Sequence, residues 1–195
     1  MDNYSRTLSW LLRHAAQKMK LNMSDEGYVL VDEILNLKQM TGCDLCMIRQ
    51  IVKNDNKSRF SLKEEGDKIY IRANQGHSTR VARNLDPEKY TQLITHPIVP
   101  CIHGTYKKFL DSINKKGLMT MSREYIHCAS GFPNEVKSGM RTDCEIFIYV
   151  NMTKAMEDGI EFRVSDNGVI MTKGINGILD PKYFTIIENE TINSN

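Results

Sequence analysis

The nine residues Leu8-Ser9-Trp10-Leu11-Leu12-Arg13-His14-Ala15-Ala16 constrain this chain more than any other stretch. Leu8, Leu11, Leu12, Ala15, Ala16 and Met19 recur at the spacing of one helical face, so a first helix must bury that face. Trp10, Arg13, His14 and Gln17 gather on the opposite side. The buried stripe therefore holds up a permanent, fork-shaped cation beside an imidazole that titrates near neutrality. Such a pair can cradle a phosphate. A solvated helix face with an incidental histidine is the alternative, and this stretch alone leaves it open.

With 195 residues the chain has room for one large or two small domains, and 41% hydrophobic with 26% charged residues is the make-up of a soluble globular protein. No run of 18 apolar residues occurs, which argues against a membrane span, and the opening Met1-Asp2-Asn3-Tyr4-Ser5-Arg6 has no secretory pattern. The five cysteines, at 43, 46, 101, 128 and 144, are scattered and odd in number. That points to reduced thiols and a cytoplasmic or nuclear protein rather than a disulfide framework. Net charge is +2, divided as +4 over residues 1–85 and −2 over 86–195, a mild bias of the front half toward anionic partners.

Along the chain, a turn at Ser24-Asp25-Glu26-Gly27 leads to an extended Tyr28-Val29-Leu30. A second helix spans Val31 to Met40 and a third runs through Leu45, Ile48, Ile51 and Val52, with Thr41 or Asp44 as its N-cap. Arg59 to Leu62 and Lys68 to Arg72 alternate around Glu64-Glu65-Gly66-Asp67, a hairpin signal. Three helices and a hairpin outline a winged-helix module or, equally, a small helical domain capped by a hairpin. Thr79 to Leu85 reads as a polar connector, so the domains are 1–85 and 86–195. In the second, Cys101-Ile102 is a buried run that stops at His103. A helix from Tyr106 closes at Gly117, Glu145 to Val150 is the clearest strand, and Asp166-Asn167-Gly168 joins a hairpin. Tyr183 to Ile187 makes a last strand, with 188–195 frayed. The fold class is α+β.

The one Cys-x-x-Cys, Cys43 to Cys46, has no second ligand pair, so the two thiols read as packing groups on the third helix and no metal is expected. Gly174-Ile175-Asn176-Gly177 reads as a loop, and neither a P-loop nor a dinucleotide glycine fingerprint occurs. Arg59 beside Phe60 stands at a strand start. Arg123, Tyr125 and His127 share a side if that segment is extended. His103-Gly104-Thr105 offers an imidazole, a glycine that admits a ligand to the backbone, and a hydroxyl. Several arginines and histidines without a catalytic carboxylate pair suggest an anion-handling cleft.

Taken in order, these pieces resemble the RNA 2′-phosphotransferases, the NAD-dependent enzymes of tRNA splicing. The matching segments are Leu8-Ser9-x-x-Leu12-Arg13-His14, Asp25-x-Gly27-Tyr28-Val29, Lys57-x-Arg59-Phe60, Ile71 to Ser78, His103-Gly104-Thr105, and Gly117-Leu118-x-x-Met121-Ser122-Arg123 on to His127. Ser138-Gly139-Met140-Arg141 resembles the eukaryotic branch. The resemblance implies an N-terminal winged-helix RNA lobe and a C-terminal, strand-rich, ADP-ribosyltransferase-like NAD lobe. It places catalysis on Arg13, His14, Arg59 and Arg123, NAD contacts on His103, Gly104, Thr105 and His127, and RNA or interlobe contacts on Gln75, His77 and Ser78. Tyr125 stands where the family often has a second histidine, and Cys128 where a leucine usually follows.

The implied reaction moves an internal 2′-phosphate of spliced tRNA to NAD through an RNA-phospho-ADP-ribose intermediate. It yields 2′-OH RNA, ADP-ribose 1″,2″-cyclic phosphate and nicotinamide, with no metal and the protein a monomer. The substrate phosphate is itself the nucleophile and carries nearly two charges, which is what arginine forks bind well. Two other readings fit the same residues: ADP-ribosyl transfer to terminal phosphates of RNA or DNA, and a non-catalytic winged-helix nucleic-acid-binding module.

Overall fold

A computed structural model describes residues 2–188, and the expected fraying of 189–195 lies outside the described residues. The chain is α+β with antiparallel sheets, and it divides into two compact units between Tyr90 and Thr91.

The first unit opens with α1 (Asp2–Trp10), which passes without a break into a π-helical turn over Leu11–Ala15. Leu8, Leu11, Leu12, Ala15 and Ala16 are buried, as the helical stripe requires. The change of helical register comes where the Arg13 carbonyl accepts the Ser78 N–H from outside the helix, at 2.9 Å. β1 (Val29–Leu30) and α2 (Val31–Leu35) follow. The helix expected as far as Met40 stops at Leu35, and only Lys38–Met40 resumes as a 3-10 turn. α3 (Leu45–Asn54) is capped by Asp44, whose carboxylate accepts the Met47 N–H at 2.8 Å. β2 (Phe60–Glu65) and β3 (Lys68–Ala73) form the expected hairpin, and β3 lies centrally between β1 and β2. Leu8, Leu11, Leu12, Ile34, Met40, Ile48, Phe60 and Ile71 make the core of this unit.

Residues 79–85, expected as a polar connector, instead form α4 (Thr79–Ala82) and pack Val81 and Leu85 against Tyr90 of α5 (Pro87–Tyr90). Polar residues face outward while every apolar one turns in, a pattern too short to show in the sequence.

In the second unit β4 (Thr91–Leu93) precedes β5 (Ile102–Thr105), so His103 lies within a strand rather than at its end. A 3-10 turn leads into α6 (Leu110–Lys116), closed by Gly117 at φ 81° as expected, and then β6 (Leu118–Met119), β7 (Ile126–Cys128) and β8 (Ile146–Val150). α7 (Met152–Glu157) is followed by β9 (Phe162–Ser165) and β10 (Ile170–Thr172), the hairpin expected around Asp166-Asn167-Gly168. β11 (Ile178–Leu179) and β12 (Phe184–Glu188) end the described chain, with Glu188 still paired to Ile146. The sheets run β4-β9-β10-β7, β12-β8-β5 and β11-β6, and the bridge between Ile102 and Ala129 joins the first two. β8 is covered on both faces: Ile146, Ile148 and Val150 enter the main core, while Phe147 packs with Ile102 and Cys144.

Candidate functional site

In the first unit the Asn74 to Ser78 segment folds back on the π-helical turn. Gly76 has φ 89°, and a Cβ there would sit 3.3 Å from Arg13 Nε. A glycine at this point lets the Arg13 side chain lie flat on the loop. His77 is buried and its ring meets Tyr90 edge to face at 5.4 Å. Burial first, then the positive charges of Arg13, His14 and Arg72, pushes the His77 imidazole from 6.5 down to about 3, so it is neutral at any physiological pH.

Arg72 is itself buried, donates to the Glu26 carbonyl at 3.2 Å, and stacks over the Tyr28 ring at 4.8 Å. Between those partners Gly27 turns with φ 85°, and a Cβ there would lie 3.8 Å from His77 Nε2. The Asp25-x-Gly27-Tyr28-Val29 segment is therefore the support that holds a cation against the histidine. Gln75 is buried in the same loop, and His14 is exposed.

Arg59 belongs to this unit as well. Its carbonyl accepts the Asn74 N–H at 2.8 Å, and Asn74 in turn ties Ser58 and Ser61 together. The Arg59 guanidinium and backbone N–H both bind the Asp55 carboxylate, whose side chain is only 3% exposed. Asp55, four residues upstream, escapes a reading by motif; the signal was an acid at the end of α3 within reach of the next strand. Arg59 also lines a pocket of about 300 Å³ with Ser5, Arg6 and Ser9.

The second unit holds His103, Gly104, Thr105, Arg123 and His127. His103 and Thr105 share a face of β5, and His103 Nδ1 lies 2.8 Å from the His127 carbonyl oxygen. Burial opposes charge on His103, but the Cys128 thiol and the His127 carbonyl outweigh it, and the imidazole is raised above its ordinary value. Cys128 moves the other way, drawn down by a hydrogen bond with Cys101 and by His103, against the effect of burial. Cys128 thus couples directly to His103.

The space expected over Gly104 is filled by the protein. A Cβ there would meet Cys144 Sγ at 2.9 Å and Met140 Cβ at 3.1 Å, so close packing, and not ligand approach, is what requires the glycine. The neighbouring Gly139, at φ 107°, would place a Cβ 2.7 Å from that of Ala129. Ser138-Gly139-Met140-Arg141 therefore clamps onto β5 and the end of β7.

Arg123 follows a turn in which Met121 has φ 55° and Arg123 N–H donates to the Thr120 carbonyl at 3.1 Å. The strand begins only at Ile126, so Arg123, Tyr125 and His127 do not line one face of an extended segment. Burial, then repulsion from Arg141, lowers the Arg123 pKa, and Arg141 donates to the Tyr106 hydroxyl at 3.1 Å. Two such guanidinium groups, with His103 and Thr105, are the donor types that would fit the diphosphate of a dinucleotide.

Cys43, just before the Asp44 cap, packs half-buried against the core of the first unit as expected of a packing group, whereas Cys46 on α3 is exposed. All five cysteines are free thiols, and among the described residues no group of three His, Cys, Asp or Glu could hold a metal. Among those residues, too, no helix is long and apolar enough to cross a membrane.

This arrangement, cations gathered around a buried imidazole in one unit and an arginine pair beside a histidine strand in the other, is that of a protein that handles phosphate. A family model described as RNA 2′-phosphotransferase, Tpt1 / KptA family, matches residues 1–174, and the chain belongs to that family of enzymes. Among its relatives, the tRNA 2′-phosphotransferase 1 of Danio rerio is 42% identical over 93% of this chain and 82% of its own length. That of Homo sapiens is 40% identical over 92% and 72%. A Schizosaccharomyces pombe protein, provisionally named a tRNA 2′-phosphotransferase, is 42% identical over 95% of this chain, which spans about half (51%) of that relative.

Proposed function

We propose that the chain removes the internal 2′-phosphate left at the splice junction of tRNA, with NAD consumed as the acceptor. The products are 2′-OH RNA, ADP-ribose 1″,2″-cyclic phosphate and nicotinamide. The first unit, residues 1–85 together with α5 that follows, acts as a winged-helix RNA lobe. The second acts as an ADP-ribosyltransferase-like NAD lobe. One observation carries this reading: Arg13, pressed against Gly76 where a Cβ would sit 3.3 Å from its Nε, and the buried Arg72 gather around the buried His77, whose imidazole is kept neutral first by burial and then by these cations and His14. Concentrated positive charge of that kind is relieved by a bound anion.

In this reading Arg13, Arg59 and Arg123 take the doubly charged phosphate through their planar forks. They also stabilise the charge that builds on its oxygens as phosphorus changes coordination. His14, exposed beside Arg13, transfers a proton or adds a phosphate contact. NAD supplies the electrophilic ribose carbon. His103 and Thr105 orient that end of the dinucleotide, with His127 holding the His103 ring through its carbonyl, while Gln75, His77 and Ser78 brace Arg13.

Incubation with NAD and an internally 2′-phosphorylated oligonucleotide tests the proposal. It predicts release of nicotinamide and a cyclic-phosphate product. A stable ADP-ribosylated RNA end, or no nicotinamide at all, overturns it. Arg13→Ala, Arg59→Ala and Arg123→Ala each reduce turnover by orders of magnitude with the fold intact by circular dichroism. Near-native rates in any two would remove those residues from the site.

A further inference from the structure

The reaction just described uses Arg59 but gives no role to Ser5, Arg6 and Ser9, which line a pocket of about 300 Å³ with it. On α1, Ser9 stands four residues after Ser5 and three after Arg6, so its side chain lies between those two and the three line one edge of the pocket. Arg59 closes the pocket from the segment before β2. Asp55, buried behind it, binds the Arg59 Nη1 and backbone N–H, and also accepts the Lys57 N–H at 3.3 Å. That carboxylate fixes the guanidinium plane and leaves its other donors for the pocket. Arg13, which lies against Gly76, is not among the lining residues.

The chemistry of the lining narrows the guest. Among the described lining residues are two permanent cations and two hydroxyls, with no carboxylate and no aromatic ring, a set that suits an oxyanion and offers nothing for a base to stack on. The Arg59 charge is largely balanced by Asp55, so the pocket presents a net charge near that of Arg6 alone. That matches a singly charged diester better than a phosphate monoester carrying nearly two charges.

We infer that this pocket seats a backbone phosphodiester of the RNA strand flanking the 2′-phosphorylated ribose, and so helps the enzyme prefer an internal over an isolated 2′-phosphate. The inference rests on the RNA 2′-phosphate reading above. Arg59 then stands between two phosphates of one nucleotide, and Arg6 with the two serines reads the backbone.

The test is a double-mutant cycle between protein and substrate. Wild type, Arg6→Ala and Ser5→Ala/Ser9→Ala are assayed on a 2′-phosphorylated oligonucleotide whose flanking linkage is replaced, on the 5′ or the 3′ side, by an uncharged methylphosphonate. Arg6→Ala is expected to raise KM about tenfold with the loss in KM rather than kcat, and to lower the salt slope by about one counterion. Methylphosphonate on one side should weaken the wild type by a similar factor and Arg6→Ala no further, which also identifies the side. Equal KM and salt slope in wild type and Arg6→Ala, or losses that multiply on both sides, overturn the inference. The same cycle read as RNA affinity by fluorescence anisotropy does not need turnover. A wild type that binds RNA but releases no nicotinamide defeats the catalytic reading, whereas an active wild type with an indifferent Arg6→Ala defeats only the pocket.

Discussion

At the scale of single residues, the balance between burial and neighbouring charge sets what each site group can do. His77 is the clearest case. Its unfolded imidazole titrates near 6.5 and its native one at about 3, so below pH 6.5 the unfolded chain binds a proton that the native chain does not. The stability His77 confers is complete above that value and is lost progressively as the pH falls toward 3. Urea unfolding between pH 7.5 and 4.5 should therefore show a steeper acid decline in wild type than in His77→Gln, with the difference vanishing at neutral pH. Arg59 poses a different demand: Asp55 already holds its fork, and in the proposed reaction the phosphate would need it as well. Arg59→Lys keeps the charge but supplies a single ammonium, and turnover should fall by at least about a hundredfold, close to Arg59→Ala. A near-native Arg59→Lys rate would reduce that residue to a diffuse positive charge.

At the scale of elements, the motifs prove to be supports for one another. Asp25 to Val29 holds Arg72, the loop after β3 holds Arg13, and the Ser138 to Arg141 segment presses on β5 and β7. Gly139 shows how tight the last contact is, since a Cβ there would lie 2.9 Å from the Cys128 carbonyl as well as against Ala129. Gly139→Ala also meets an unfavourable positive φ. It should destabilise the second unit by about 2 kcal/mol or more, read as a lowered Tm, with KM for NAD rising as β5 shifts. An unchanged Tm would mean that the segment gives way freely. α4 was hidden from a sequence reading for an elementary reason: four residues complete barely one turn, so no period can be seen.

At the scale of the whole molecule, each unit has its own apolar core, one built around Leu8, Ile34, Ile48 and Ile71 and the other around Ile126, Ile146, Ile148 and Phe162. A fragment of residues 1–90 should then unfold cooperatively and give a dispersed amide spectrum, and it should bind RNA without releasing nicotinamide. A fragment without a cooperative transition would show that its core does not suffice. Local spacing encodes the buried stripe of the first helix and the hairpins around Gly66 and Asn167, and residue type alone supplies the arginines and histidines suited to phosphate chemistry. The neutrality of His77, the grip of Asp55 on Arg59, the contact of Cys128 with His103 and the covering of Gly104 by Cys144 arise once the chain has folded. Desolvation and close contact depend on groups brought together from distant parts of the chain, and a period of two or of 3.6 residues carries no information about them.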